Sequence, residues 1–120
     1  VWGLAFKPQT DDMREAPSIV IINELIALGA TIKAYDPVAM QEAKKVFGNN
    51  HSVTLCADEY ETLKDAEAML LITEWHQFRY PDLERMSKIM RNKVIFDGRN
   101  QYNPKTVKEM GFTYYGIGRR

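Results

Sequence analysis

Two cations of the chain stand just beyond apolar segments that have the composition of buried strands. Lys7 directly follows the segment Gly3–Phe6, and Arg99 comes three residues after the segment Val94–Phe96. A lysine ammonium acts as a point charge, whereas an arginine guanidinium is a planar fork that can bind two phosphate oxygens at once. The two residues together predict recognition of a phosphate-bearing ligand by side chains.

Residue type alone leaves a structural explanation of these cations open. Most charged side chains are simply solvated, so Lys7 and Arg99 could be surface residues that pair with nearby carboxylates. The candidate partners are Asp11, Asp12 and Asp97. Arg14 is open to the same two explanations, as an ion pair with Asp11 or as a surface charge. Position at the ends of strands favours the ligand site for Lys7 and Arg99.

Other residues that could do chemistry lack the partners that the chemistry needs. His51 and His76 are 25 residues apart with no neighbour at ligand spacing, so we expect no metal site. Cys56 has no base close to it in the sequence, which favours a buried structural cysteine over a nucleophile. Aromatic residues between Trp75 and Tyr80 could stack on a base, but their place at a strand–helix junction is more typical of core or interface. No catalytic set is predicted.

Strand and helix patterns alternate along the chain and must position these residues. The predicted strands are Gly3–Phe6, Thr31–Tyr35, Val53–Leu55, Ala68–Thr73, Val94–Phe96 and Phe112–Tyr115. The predicted helices run from Pro17 to Gly29, over Val38–Phe47, from the capping box of Asp58 and Glu61, from Pro81, and from Asn103 to Gly111. This alternation predicts a single α/β domain, a Rossmann-like, doubly wound, mostly parallel sheet with helices on both faces.

The topology predicts where the polar strand ends meet. Ligands of open α/β sheets bind beyond the carboxyl ends of the strands, at the point where the strand order reverses. With right-handed crossovers, the first and fourth predicted strands flank that point. We therefore expect Lys7, the segment Glu74–His76 and Arg99 to lie at one edge of the sheet.

The first turn lacks the glycine fingerprint of dinucleotide-binding folds. Gly3 lies inside the predicted strand, and Phe6 and Lys7 place side chains where the fingerprint requires bare backbone. The domain is therefore not expected to hold NAD in the standard way. Asp36 follows the second predicted strand, where an acidic residue could bind a ribose, but without the glycines a turn-forming role is favoured.

Composition limits the classes of partner. The 120 residues fit one domain, and sixteen basic and sixteen acidic residues cancel, so no net field attracts nucleic acid or an anionic membrane. One cysteine and the absence of a long apolar stretch suit a cytoplasmic protein without disulfides. The opening residues Val1–Gly3 look like the middle of a strand, so we expect a fragment of a longer chain.

Four separated segments together resemble the carboxy-terminal, UDP-binding domain of the UDP-glucose/GDP-mannose dehydrogenase family. They are Gly3–Pro8 with Thr10–Asp12 and Arg14–Glu15, then Tyr35–Pro37, Thr73–Trp75 and Phe96–Arg99. The likeness covers essentially the whole chain. Glu74–Trp75 and the Asp-Gly-Arg segment that ends at Arg99 resemble the UDP-glucose 6-dehydrogenase branch most.

The resemblance implies an enzyme that oxidises UDP-glucose to UDP-glucuronate in two hydride transfers to NAD, through a covalent cysteine intermediate, in cytoplasmic nucleotide-sugar metabolism for polysaccharide biosynthesis. Such enzymes have an amino-terminal NAD domain and a central dimerisation region, which implies a homodimer or higher homo-oligomer. Neither segment is present here, and Cys56 does not match the nucleophile. We therefore expect this chain alone to be inactive.

The resemblance also implies roles for individual residues. Phe6 and Lys7 match positions that contact the UDP-sugar, Arg99 matches the arginine that holds it, and Arg14 matches an arginine that reaches NAD from across the cleft. Ala16 departs from the family pattern, which usually has serine before the proline, and this weakens a helix cap.

Two alternatives stay open at this point. The chain could be the same domain of a UDP-N-acetylmannosamine or GDP-mannose dehydrogenase. It could also be a free-standing, non-enzymatic α/β interaction module, in which Lys7 and Arg99 are only surface charges.

Overall fold

Five short strands and four helices alternate along residues 1–118, which the computed structural model describes. The helices are α1 (Pro17–Ala27), α2 (Met40–Phe47), α3 (Leu83–Ile89) and α4 (Pro104–Glu109). The strands are β1 (Ile32–Ala34), β2 (Val53–Leu55), β3 (Met69–Leu71), β4 (Val94–Asp97) and β5 (Thr113–Gly116), and 3₁₀ turns cover Glu61–Leu63 and His76–Phe78. The predicted alternation is confirmed, and Arg119 and Arg120 lie outside the described residues.

All strand pairs are parallel, and Trp2 joins them into one sheet. β1 pairs with β2, while β3, β4 and β5 form a second ladder in that order. Trp2 forms parallel bridges to Tyr35 at the end of β1 and to Leu71 in β3. The sheet order is therefore β2–β1–Trp2–β3–β4–β5, which is the doubly wound order predicted from the sequence.

The first predicted strand is wrong in its extent, and its burial is confirmed except at Phe6, which is half exposed. The parallel bridges at this end of the chain are those of Trp2, and the N–H of Gly3 donates to the carbonyl of Tyr35 at 2.9 Å. Gly3 has a φ of +94°, which turns the chain out of extended geometry. The next two N–H groups then donate to the carboxylate of Asp36 rather than to a neighbouring strand. The Asp36 side chain has thus replaced the backbone acceptors that a neighbouring strand would provide.

Helix ends follow the predicted signals at α1 and α4, whereas α2 and α3 begin two residues later than predicted and the helix expected from Asp58 does not form. Gly29 ends α1 with a φ of +96°, and Asn103 caps α4 by accepting from two backbone N–H groups. Ala16 precedes α1 without a side-chain cap, as its departure from the family pattern implies. The N–H of Glu61 donates to Asp58 as expected, but only a three-residue 3₁₀ turn follows.

This turn stops early because the chain leaves helical geometry. Lys64 has a ψ of 120° and Asp65 a φ of +56°. The N–H of Asp65 then donates to the carbonyl of Ile89 at 2.9 Å. A contact with the end of α3 has therefore replaced the second turn of the expected helix.

Aromatic residues form much of the core beneath the sheet edge. The rings of Trp2 and Phe78 lie 5.1 Å apart, and the Trp2 indole donates to the hydroxyl of Thr62 at 3.0 Å. Trp75 and Phe78 are buried as the core alternative predicted, whereas Tyr80 is exposed. Within residues 1–118, no helix has the length and apolar character needed to cross a membrane.

Candidate functional site

A fully buried carboxylate organises the carboxyl edge next to Lys7. One oxygen of Asp36 accepts the N–H groups of Leu4–Ala5 at 2.8 and 3.0 Å and the indole N–H of Trp75 at 3.0 Å. Its other oxygen accepts the N–H groups of Val38–Ala39 at 2.9 and 2.8 Å. We call these residues the Asp36 cluster. The turn-forming interpretation of Asp36 is confirmed, and its oxygens are occupied rather than available to a ribose.

Two buried hydroxyl groups complete the hydrogen bonds of this segment. The hydroxyl of Ser18 donates to the carbonyl of Leu4 at 2.6 Å, and that of Thr73 donates to the carbonyl of Ala5 at 2.7 Å. Both peptide groups before the loop are therefore held by side chains from α1 and from the segment after β3. The backbone that directly precedes Phe6–Lys7 is therefore fixed in position.

Phe6 and Lys7 follow the fixed backbone of Leu4–Ala5 and extend towards solvent. The N–H of Phe6 donates to the carbonyl of Asp12 at 2.7 Å, which closes the loop between them. The Phe6 ring is 51% exposed, and Lys7 is exposed as well. Within residues 1–118, the Lys7 ammonium makes no hydrogen bond or ion pair, so it is available to an anionic ligand.

A second buried carboxylate organises the edge next to Arg99. One oxygen of Asp97 accepts the Arg99 backbone N–H at 3.1 Å, and the other accepts the Tyr102 N–H at 2.9 Å and the Tyr114 hydroxyl at 2.8 Å. We call these residues the Asp97 cluster. Burial together with the nearby Asp97 charge raises the pKa of the Tyr102 hydroxyl, which donates to the carbonyl of Phe78 at 2.8 Å.

The guanidinium of Arg99 pairs with Glu74. Its Nε–H donates to a Glu74 carboxylate oxygen, across 25 residues of sequence. The suggested pairing of this side chain with Asp97 is therefore wrong, because the group of Arg99 that donates to Asp97 is the backbone N–H. The Arg99 side chain is 43% exposed, and Glu74 binds its Nε edge, so within residues 1–118 its two terminal nitrogens make no hydrogen bond and can bind a ligand.

Arg14 is held in a different way, on the outer side of the loop. Its Nε and one terminal nitrogen donate to Asp12, which is therefore its partner in place of the suggested Asp11. These hydrogen bonds lower the pKa of Asp12 to about 2 and raise that of Arg14. The Arg14 side chain is 90% exposed. It lines an open cavity of about 560 Å³ between the loop and the first two helices.

The predicted convergence is confirmed in part, through two adjacent residues. Glu74 binds Arg99 directly, and Trp75 binds Asp36, which holds the backbone two residues before Lys7. His76 is exposed in the following 3₁₀ turn and joins neither cluster. The pattern of the sequence gave Asp36 only a turn-forming role and did not identify Ser18 or Thr73 as residues that hold the loop backbone. Their common signal is a small polar side chain beside an apolar segment that is itself buried.

Cys56 is the buried structural cysteine that the sequence favoured. It is 4% exposed. Burial raises the pKa of its thiol, and the carboxylate of Glu61 acts in the same direction. A thiol with a raised pKa is a poor nucleophile at neutral pH.

The first turn does not fit a dinucleotide pyrophosphate. In the standard arrangement, bare backbone N–H groups of this turn face the phosphates. Here the N–H groups of Leu4 and Ala5 are taken by Asp36. A Cβ at Gly3 would lie 2.5 Å from the Cβ of Thr73, so this glycine serves packing rather than phosphate approach.

Comparison with known proteins agrees with this geometry. Residues 1–104 match the UDP binding domain of the UDP-glucose/GDP-mannose dehydrogenase family. A UDP-glucose 6-dehydrogenase of Pseudomonas aeruginosa is 43% identical over 99% of the chain, and TuaD, a UDP-glucose 6-dehydrogenase of Bacillus subtilis, is 40% identical over 99%. The chain spans only 27% and 25% of those two proteins.

Solved structures give the same result. A UDP-glucose dehydrogenase from Pyrobaculum islandicum superposes with a TM-score of 0.77 at 33% identity, over 99% of this chain and 24% of that one. An NDP-N-acetyl-D-galactosaminuronic acid dehydrogenase from Methanosarcina mazei gives a TM-score of 0.82 at 27% identity, over 99% and 24%. The fold is thus that of a domain found in several sugar-nucleotide dehydrogenases.

Proposed function

The chain belongs to the UDP-glucose/GDP-mannose dehydrogenase family, and on that premise we propose that it is the carboxy-terminal UDP-sugar-binding domain of an NAD-dependent UDP-glucose 6-dehydrogenase. In this proposal residues 1–120 form one part of a longer polypeptide that also has an NAD domain and a dimerisation region. The relatives that carry the UDP-glucose name and are about four times longer support this assignment.

Lys7 and Arg99 bind the diphosphate in this proposal. The observation that carries it is a pair of cations, Lys7 without an ion pair among the described residues and Arg99 paired with Glu74 through Nε, each close to backbone that a buried carboxylate holds. An arginine fork can bind two phosphate oxygens, and a lysine adds a single charge from the other side. Phe6, half exposed beside Lys7, contacts the apolar parts of the same ligand.

The longer enzyme oxidises the C6 hydroxyl of UDP-glucose to a carboxylate. Two hydrides pass to two NAD molecules, and the nucleophilic cysteine and the NAD loop belong to the rest of the polypeptide. The first turn of this chain does not accept the pyrophosphate, so in this proposal its contribution toward NAD is limited to Arg14, an exposed side chain that is paired with Asp12 in the loop. We place the enzyme in the cytoplasm as a homodimer or higher homo-oligomer that supplies UDP-glucuronate for polysaccharide biosynthesis.

A second candidate keeps the site and changes the sugar. Solved relatives include UDP-N-acetylmannosamine dehydrogenases from Pyrococcus horikoshii and Staphylococcus aureus, at 31% and 27% identity. Lys7 and Arg99 recognise a diphosphate, which all these substrates share, so they do not discriminate between the sugars. The identity of 43% to a UDP-glucose enzyme favours glucose.

Calorimetric titration of the chain with uridine, UMP and UDP tests the proposal. We expect affinity to rise with each phosphate, and Arg99→Lys to weaken UDP binding about tenfold because a bidentate contact is lost. Arg91→Ala is the matched control, since Arg91 is an exposed arginine that pairs loosely with Glu67 at 3.9 Å, beyond the end of α3. Equal affinity for uridine and UDP, or equal effects of the two arginine variants, would contradict the proposal.

A further inference from the structure

Three consecutive residues after β3 connect the two halves of the proposed site. The hydroxyl of Thr73 donates to the carbonyl of Ala5, and the indole of Trp75 donates to Asp36. Between them, Glu74 accepts from the guanidinium of Arg99. The N–H of Trp75 donates to the carbonyl of Thr73 at 2.9 Å, so the three residues form a tight turn, from which residues 73 and 75 reach one strand end and residue 74 reaches the other.

We propose that the segment Thr73–Trp75 is a positioning element that sets the separation of Lys7 and Arg99, so that one diphosphate contacts both. This inference rests on the proposed function. Its residues do not touch the ligand themselves: Thr73 and Trp75 act through the backbone of Leu4–Ala5, and Glu74 acts through the Arg99 side chain.

Burial and satisfied hydrogen bonds make the connection rigid on the Lys7 side. Thr73 is 1% exposed and Trp75 7% exposed, and the Asp36 carboxylate between the indole and the loop backbone is fully buried. Hydrogen bonds in such surroundings are strengthened by the low local dielectric. Gly3 packs against Thr73 too closely for a Cβ, which fixes the same two segments from a second direction.

The Arg99 side is oriented by charge rather than by burial. Glu74 takes the Nε edge of the guanidinium and so turns its two terminal nitrogens outward. Without that carboxylate, a half-exposed arginine has several rotamers of similar energy, and only some of them direct the fork at the phosphates. Glu74 therefore lowers the cost of ordering Arg99 when the ligand binds.

Double-mutant cycles on UDP affinity, measured with the chain by calorimetry, test this connection. Trp75→Phe removes the indole N–H, and we expect it to weaken UDP binding about fivefold in the parent background but less than about twofold in the Lys7→Ala background. Glu74→Gln should likewise weaken UDP binding in the parent background and have a smaller effect in the Arg99→Lys background. Glu74→Gln and Lys7→Ala should act independently.

Trp2→Phe is the matched control. It also removes indole hydrogen bonds, to the hydroxyl of Thr62 and to the carbonyl of Glu59, but neither of these leads to Asp36. We expect it to lower the unfolding midpoint while leaving UDP affinity unchanged. A backbone amide NMR spectrum confirms the fold of each variant, and Thr73→Val replaces Trp75→Phe if the latter does not fold.

The outcomes separate this inference from the proposed function. If the unmodified chain does not bind UDP, the proposed function fails. If the chain binds UDP and Lys7→Ala weakens binding, but the Trp75→Phe effect is absent or fully additive with Lys7→Ala, the positioning role is wrong and the binding role stands. An equal loss of affinity in Trp2→Phe would also overturn the positioning role.

Discussion

Two buried aspartates, each at the carboxyl end of a strand, organise the two halves of the site differently. Asp36 accepts five N–H groups from three separate parts of the chain. Asp97 accepts two backbone N–H groups from its own turn and one hydroxyl from β5. The Asp36 cluster therefore joins distant segments, whereas the Asp97 cluster mainly shapes a local turn.

The difference shows how one sheet edge can have both a fixed and an adjustable half. Lys7 follows Leu4–Ala5, whose N–H and carbonyl groups are all bound by buried side chains. The backbone of Arg99 is also held, by Asp97, but its side chain is partly exposed and is oriented by one carboxylate, that of Glu74. We infer that the Lys7 half is determined by folding and the Arg99 half adjusts to the ligand.

Replacing each aspartate by asparagine should give the largest difference in stability between the two halves of the site. An amide group in place of Asp36 must turn its NH₂ towards at least two N–H donors, so we expect Asp36→Asn to lower the free energy of unfolding by about 4 kcal/mol. In Asp97→Asn the side-chain carbonyl can still accept from Tyr102 and Tyr114, and the new NH₂ group then faces only the N–H of Arg99. This should lower the free energy of unfolding by about 1 kcal/mol. Urea unfolding measures both, and equal losses would contradict the comparison.

The glycines at the two strand ends give a second, smaller contrast. Gly3 combines a φ of +94° with a Cβ position 2.6 Å from the backbone nitrogen of Thr73, whereas the Cβ position of Gly98 meets one carbonyl oxygen at 2.8 Å. We expect Gly3→Ala to cost about 3 kcal/mol and Gly98→Ala about 1 kcal/mol. Gly29→Ala, with a φ of +96° in open space, isolates the backbone contribution. If Gly3→Ala costs no more than Gly29→Ala, close packing on Thr73 is not the reason for the glycine.

The exposed Asp12–Arg14 pair should show the smallest effect. The folded-state pKa of Asp12, about 2, lies below its ordinary value of 3.8, mainly through the hydrogen bond from Arg14. The ionised carboxylate therefore favours the folded loop above pH 3.8, and this contribution is lost as the pH falls towards 2. Carboxyl carbon NMR shifts should titrate near pH 2 and move back towards 3.8 in Arg14→Gln. A midpoint near 3.8 in the parent chain would show that the pair does not form.

The order of the strands and the ends of α1 and α4 could be predicted, because the alternation of strand and helix patterns and the capping residues are visible in the sequence. Lys7 and Arg99 were found from their place after apolar segments, and Gly29 and Asn103 end and begin helices as expected. The Asp36 cluster could not be predicted, because its donors come from segments more than 30 residues apart in sequence. The Gly3 turn was missed for the same reason, since its cause is the approach of Thr73.

Backbone amide NMR of the isotope-labelled chain, titrated with UDP and with GDP as a comparison, tests the central claim most directly. The account predicts saturable UDP shifts that cluster at Lys7, at Glu74–Trp75 and at Arg99, and that disappear in Lys7→Ala. Absence of shifts up to millimolar UDP, or shifts that cluster away from this sheet edge, would contradict it.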